Sequence, residues 1–267
     1  MLELFSSETT IVVGLDLSDE EEKLISTSVS LARKTGARLM FVHAIQPFRT
    51  YASAGEDMVL PYEAFEQEAY HSGVEEAEQR LHAIRDRLPP ELVIDLRVCR
   101  EYPENALDQV ADELKASLII CGMRAQSSLP WYGGMSTALS LMGSSKYPVM
   151  ILPLTTSIDF TTREHNILVA DNLREEGLYA LKAALGLCRS ISYKQLIHLH
   201  VKNDSYREIN QTVEKIRLAM IEGKLPSDPN FESEVYLKQI KGELKAEMEM
   251  RLSLADKDFA QGLHWSP

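Results

Sequence analysis

Short apolar runs alternate with amphipathic stretches through residues 1–154 of the chain. Continuous apolar runs are typical of strands buried on both faces, and apolar stripes at helical spacing predict the helices that cover them. This order predicts an α/β fold, an open five-stranded parallel sheet with helices on both faces. The predicted strands are residues 11–16, 39–44, 92–98, 117–122 and 149–152, and the predicted helices are residues 18–35, 62–88, 103–116 and 137–145.

Local signals mark the ends of these predicted helices. Ser18, with Glu21 three residues later, predicts a capping box at the start of the first helix. Gly36 predicts the end of that helix, because glycine readily adopts the left-handed conformation at a helix C-terminus. Pro89 ends the long second helix, and Pro103 begins the third.

The pattern begins a second time after a polar stretch that predicts a linker. Residues 166–171 repeat the opening strand with its terminal acid, Asp171, and residues 195–201 repeat the second strand with its histidine. An internal repeat supports the predicted fold more strongly than either copy alone. Further helices are predicted at residues 174–189, 205–222 and 232–255. We therefore expect a complete domain at residues 1–154, a linker at 155–165 and a partial second copy at 166–267.

The charge of the chain limits its expected partners. The formal net charge is −12, from 40 acidic and 28 basic residues, which disfavours nucleic acid and anionic membrane surfaces as partners. A mononucleotide remains open, because backbone N–H groups can hold its phosphates. The sequence contains no run typical of a targeting segment or membrane span, and its cysteines and histidines show no metal-ligand spacing. We therefore expect a cytoplasmic protein without a metal centre.

Candidate chemistry lies at the carboxyl ends of the first and fourth predicted strands. Ligands of open parallel sheets bind where the strand order reverses. Asp16 follows the first strand, and Gly122 begins a Gly- and Ser-rich loop after the fourth. Glycine allows a phosphate to approach the backbone, and Arg124 offers it a positive charge. Other interpretations stay open: Asp16 as a helix cap, Arg124 as a solvated side chain and His43 as a structural residue.

The loop after the fourth strand resembles that of the universal stress protein family. Nucleotide-binding members of that family carry Gly, two residues, Gly, nine residues, and then Gly followed by Ser or Thr. On this chain the pattern begins at Gly122 and ends at Ser136, while Ala125 and Met135 replace the second and third glycines. The first glycine and the final hydroxyl therefore match, and two side chains stand where the family has none.

Three further segments carry the same resemblance. Asp16-Leu17-Ser18 is similar to the family's Asp-x-Ser after the first strand, and Tyr147-Pro148-Val149 is similar to the start of its fifth strand. Val42-His43-Ala44 is similar to the end of its second strand, whose backbone faces an adenine. The resemblance implies a site for ATP or ADP that is formed by Asp16, Ser18, Ala44, Gly122, Arg124, Ala125, Ser136 and Thr137.

The resemblance implies a stress-response protein that binds and signals, responds to ATP or ADP, and pairs with a second copy through its fifth strand. It assigns no catalytic residues and at most slow ATP hydrolysis. Ala125 and Met135 favour an alternative, a protein-interaction module that binds no nucleotide. A second alternative is an adenylating or ATP-hydrolysing enzyme of the wider fold group. Such enzymes use loops such as Ser-Gly-Gly-x-Asp-Ser after the first strand, where this chain has Asp16-Leu17-Ser18.

Overall fold

The computed structural model describes residue 5 and residues 8–47, 62–124, 137–170 and 175–199, together with isolated positions between 218 and 254. The chain divides into two compact units. The first unit comprises Met1–His165 and Gly186–Lys194, and the second comprises Asn166–Leu185 and Gln195–Pro267. Of the predicted helices at residues 205–222 and 232–255, most positions lie outside the described residues, and residues 245–251 are helical.

The described elements follow the predicted alternation of strands and helices. A short 3-10 turn, Asp19–Glu21, precedes the first helix. The five strands of the larger sheet are β1 (Thr10–Gly14), β2 (Arg38–Ala44), β3 (Ile94–Cys99), β4 (Leu118–Met123) and β5 (Val149–Pro153). The helices are α1 (Glu22–Thr35), α2 (Tyr62–Asp86), α3 (Pro103–Leu114), α4 (Thr137–Ser144) and α5 (Glu175–Ser190). A second sheet contains β6 (His165–Ala170) and β7 (Tyr193–Leu199).

The larger sheet has the strand order β3-β2-β1-β4-β5, with every neighbouring pair parallel. The predicted α/β fold is therefore confirmed. The central strand β1 is apolar because both of its faces are covered, and Val12 and Val13 are both 0% exposed. Gly14 pairs with Val42 on one side and Cys121 on the other, so the carboxyl ends of β1, β2 and β4 meet at one rim. The strand order reverses between β1 and β4.

One face of this sheet lies under α3 and α4. Val12, Met40 and Val42 form a buried cluster there with side chains of both helices. A Cβ atom on Gly14 would lie 2.8 Å from a methyl group of Leu107 on α3. The glycine therefore lets α3 approach the central strand closely.

The segment predicted as a linker, residues 155–165, makes specific contacts with α1. The N–H of Ile158 donates to the Thr27 hydroxyl over 2.9 Å, and the N–H of Phe160 donates to the Ser30 hydroxyl over 2.6 Å. The Phe160 side chain is only 4% exposed. Hydrogen bonds from nearby threonines hold the pKa of Asp159 well below its usual range. This segment thus contributes to the core and the polar contacts of the first unit.

Val169 of β6 packs against Leu181 and Leu185 of the following helix, α5. In β1, Val12 faces α3 and α4, so Val13 faces the opposite side, where a right-handed crossover puts α1. Val169 thus lies on the strand face that is turned toward the following helix, as Val13 does. Asp171, which the sequence analysis pairs with Asp16, lies outside the described residues.

Candidate functional site

The turn after β1 is built on an uncommon backbone conformation. Leu17 has a φ of 59°, in the left-handed region that side chains with a Cβ rarely adopt. An oxygen of the Asp16 carboxyl accepts a 2.9 Å hydrogen bond from the N–H of Ser18, which closes the turn. A non-glycine residue in this region costs on the order of 1–3 kcal/mol. The surrounding contacts therefore hold the turn in place.

Glu21 is the main anchor of this turn. Its side chain is 3% exposed, and its two carboxyl oxygens accept hydrogen bonds from the N–H groups of Asp16 and Leu17, the latter over 3.0 Å. The predicted capping box is wrong, since neither Ser18 nor Glu21 makes its expected bond. The Asp16 carboxyl has taken the N–H of Ser18, and the Ser18 hydroxyl oxygen is buried without a hydrogen-bond partner among the described residues.

The two carboxyls of the turn have different proton affinities. Burial raises the pKa of Glu21 to about 9, and the neighbouring Asp16 carboxyl acts in the same direction against two backbone donors. Burial alone would also raise the pKa of Asp16. Hydrogen bonds from Glu21 and Ser18, together with the charge of Arg124, outweigh that effect and lower it. Near neutral pH the turn therefore presents an ionised Asp16 above a protonated Glu21.

Arg124 joins the end of β4 to this turn. Its guanidinium donates a hydrogen bond to the second oxygen of the Asp16 carboxyl, and its Nε lies 3.3 Å from a carboxyl oxygen of Glu20. The Asp16 and Arg124 side chains are 47% and 58% exposed, so the ion pair is accessible to solvent. The structure therefore brings together two of the residues that the sequence proposes as ligands, on either side of the strand reversal.

The other proposed ligand residues lie in different surroundings. Ala44 ends β2, two residues beyond Val42, whose carbonyl accepts a 2.9 Å hydrogen bond from the N–H of Leu15. His43 has a structural contact, since its Nδ1 lies 2.9 Å from the Leu15 carbonyl oxygen. Thr137 is the first residue of α4 and is partly buried.

The absence of a side chain at Gly122 is explained by packing. A Cβ atom there would lie 2.5 Å from a methyl carbon of Leu154, so the glycine makes room for that side chain at the rim. Ala125 and Ser136, the remaining predicted ligands, lie outside the described residues.

The sequence analysis did not predict that Glu20 and Glu21 contribute to this site. A signal was present for Glu21, because it precedes Leu24, Ile25 and Ser28 at helical spacing, and those positions are buried. An acid in line with a buried stripe indicates a carboxyl directed inward. No comparable signal marks Glu20, since its contact with Arg124 depends on how β1 and β4 meet.

The model of the universal stress protein family matches residues 9–153, more than half of the chain. The chain belongs to the universal stress protein family. The match covers the larger sheet and both sides of the candidate site. No curated protein sequence matches the chain.

Solved structures of universal stress proteins are similar to this chain. One from Archaeoglobus fulgidus DSM 4304 is 17% identical with a TM-score of 0.50, covering 80% of this chain and 74% of its own. One described as a complex with cAMP is 24% identical with a TM-score of 0.37, covering 55% and 97%. One from Archaeoglobus fulgidus in complex with dAMP is 21% identical with a TM-score of 0.33, covering 54% and 96%. The first of these likenesses supports the fold.

Two kinds of feature are absent from the described part of the universal stress protein chain. None of its helices combines the length and the apolar character needed to span a membrane. Among the same residues, no three His, Cys, Asp or Glu side chains come together as a group that could hold a metal ion.

Proposed function

We propose that this universal stress protein is a stress-response protein that binds and signals, and that it responds to ATP or ADP through the crevice between β1 and β4. Membership of the family and the position of the crevice at the strand reversal support this proposal. Efficient catalysis is not part of it. Any ATP hydrolysis would be slow and secondary to binding.

The contact between Asp16 and Arg124 is the observation that carries the proposal. An ionised carboxylate is an acceptor suited to sugar hydroxyls, and a guanidinium is a donor suited to phosphate oxygens. The two groups meet at the rim of β1 and β4, where ligands of open parallel sheets bind. A nucleotide carries both kinds of partner on one molecule.

Equilibrium dialysis with labelled ATP tests the proposal. We expect saturable binding to the full chain. Asp16→Leu should weaken it at least about tenfold, because it removes the acceptor and places an apolar side chain in the crevice.

Asp95→Leu is the matched control. Asp95 lies on β3 in an ion pair with Arg38, and its side chain is 47% exposed, the same fraction as that of Asp16. Its substitution should leave ATP binding unchanged. Absence of ATP binding to the unmodified chain at millimolar concentration would reject nucleotide binding and favour the protein-interaction module.

We also propose that the chain pairs with a second copy through the outer edge of β5. The sheet ends at β5 in the described part of the chain. The Pro148 carbonyl and the Leu154 N–H both bond to β4, so even-numbered residues face β4 and the N–H of Ile151 points outward. That outward edge offers backbone groups to a further strand.

Sedimentation equilibrium of two variants tests this pairing. Ile151→Pro removes the outward N–H, whereas Ile151→Ala shortens the same side chain and keeps the N–H. We expect a dimer for the unmodified chain and the alanine variant, and a monomer for the proline variant. A monomeric unmodified chain, or a dimer that survives the proline, would contradict pairing through β5.

A further inference from the structure

We infer that Arg124 makes the crevice between β1 and β4 selective for phosphate-bearing nucleotides over uncharged nucleosides. The inference rests on the proposed function and concerns the ligand class of the same site. It comes from one arrangement: the Arg124 guanidinium lies between two carboxylates, those of Asp16 and Glu20. Arg124 follows β4, and both acids lie in the turn after β1, so the two ion pairs span the rim where the strand order reverses.

Acidic side chains are concentrated in the turn at this rim. Asp16, Asp19, Glu20 and Glu22 follow one another closely after β1, and the Glu21 carboxyl beneath them is buried. Three cations that contact this turn or the start of α1 have partners of their own. Arg80 donates to the Leu17 carbonyl over 2.9 Å, Arg87 pairs with Glu22 over 2.6 Å, and Lys23 donates to the Thr155 carbonyl over 2.5 Å.

A phosphate that enters the crevice therefore meets repulsion from the acids unless Arg124 turns toward it. The ion pairs of Arg124 are half exposed, and exposed pairs of this kind are weak. A phosphate can replace the carboxylates as the partner of the guanidinium, with charge-assisted hydrogen bonds of comparable or greater strength. Asp16 is then released for a hydroxyl group of the ligand.

A nucleoside carries no phosphate, and therefore no negative charge that could replace the carboxylates on Arg124. Arg124 stays on Asp16 when an uncharged ligand approaches, and the carboxylate is not released. The structure therefore gives Arg124 two opposite effects: it opposes the binding of a nucleoside and supports the binding of a nucleotide. A residue with a merely structural role would change the binding of both ligands in the same direction.

Equilibrium dialysis of labelled ATP and labelled adenosine against the full chain separates these possibilities. Arg124→Gln should weaken ATP binding about tenfold and strengthen adenosine binding several-fold. Glu20→Gln keeps Arg124 and removes one competing carboxylate, so ATP should bind about threefold more tightly. Arg33→Gln is the control, because Arg33 is 46% exposed in an ion pair with Glu91 on a different part of the first unit. It should change neither affinity.

The outcomes distinguish this inference from the proposed function. Equal changes for both ligands in Arg124→Gln, or no change for either, would overturn the selectivity of Arg124. If the unmodified chain binds neither ligand while Arg124→Gln binds adenosine, Arg124 excludes both kinds of ligand, so its selectivity for nucleotides and the nucleotide function both fail. If no variant binds either ligand, both proposals fail. Far-ultraviolet circular dichroism of each variant verifies that the fold is retained.

Discussion

The two sheets begin with the same strand-helix-strand pattern, yet the same strand face is buried in one and exposed in the other. Val12 and Met40 are 0% and 6% exposed in the larger sheet, where α3 and α4 cover them. In the smaller sheet Leu168 points away from α5, because its neighbour Val169 packs on that helix, and it is 56% exposed. Ile197 of β7 is 37% exposed. α3 and α4 follow β2 along the chain, so this face of the larger sheet is buried by helices that are remote from β1 in sequence.

A matched pair of charge substitutions tests the difference between the two faces, with the largest expected effect. Val12→Asp places a charge in a fully buried position and should lower the free energy of unfolding by about 4 kcal/mol or more. Leu168→Asp should change it by less than about 0.5 kcal/mol, because that position is exposed. Urea unfolding followed by circular dichroism measures both. Hydrogen exchange of β1 and β6 shows which sheet is affected. Equal losses would show that the face of the smaller sheet is covered.

Phe160→Ala tests whether the segment after β5 belongs to the core of the first unit. Removing this buried ring should lower the free energy of unfolding by about 3 kcal/mol. Tyr179→Ala is the control, since its side chain is 64% exposed, and it should cost less than about 0.5 kcal/mol. Similar values for both variants in urea unfolding would indicate that residues 155–165 act only as a linker.

Glu21→Gln tests the buried acid through pH dependence. The folded-state pKa of about 9 lies above the ordinary value of 4.5, so the folded state holds a proton that the unfolded state releases. Stability from this group is therefore complete below about pH 4.5 and declines as pH rises toward 9. Between pH 6 and 8 the unmodified chain should lose on the order of 2–3 kcal/mol relative to the glutamine variant. Parallel pH profiles of the two proteins would show that Glu21 is ionised in the fold.

Leu17→Gly tests the strained turn, with the smallest expected effect. Glycine adopts the left-handed conformation without a Cβ penalty, whereas Leu17→Ala removes the side chain and keeps the strain. We expect the glycine variant to be about 1 kcal/mol more stable than the alanine variant. Thermal unfolding of the two variants measures the difference. An alanine variant as stable as the glycine variant would exclude strain at this position.

The sequence predicted the larger fold well, because each apolar run reports burial on both faces and each amphipathic stripe reports a covering helix. The ends of strands and helices were predicted less accurately. The third strand begins at Ile94, whereas the pattern placed its start at residue 92, and Val93 is 53% exposed. The capping box failed because the left-handed Leu17 turns the backbone, so that Asp16 satisfies the N–H that Glu21 was expected to reach.

The candidate site divides in the same way. The sequence by itself determined that Asp16 and Gly122 follow strands whose carboxyl ends meet, since parallel strands with crossover helices place them at one rim. Only the tertiary structure decided that Arg124 spans that rim to two acids, that Glu21 is buried beneath it and that Gly122 makes room for Leu154. These contacts join residues far apart along the chain. Local patterns record burial and periodicity, but they do not record which side chains meet across two strands.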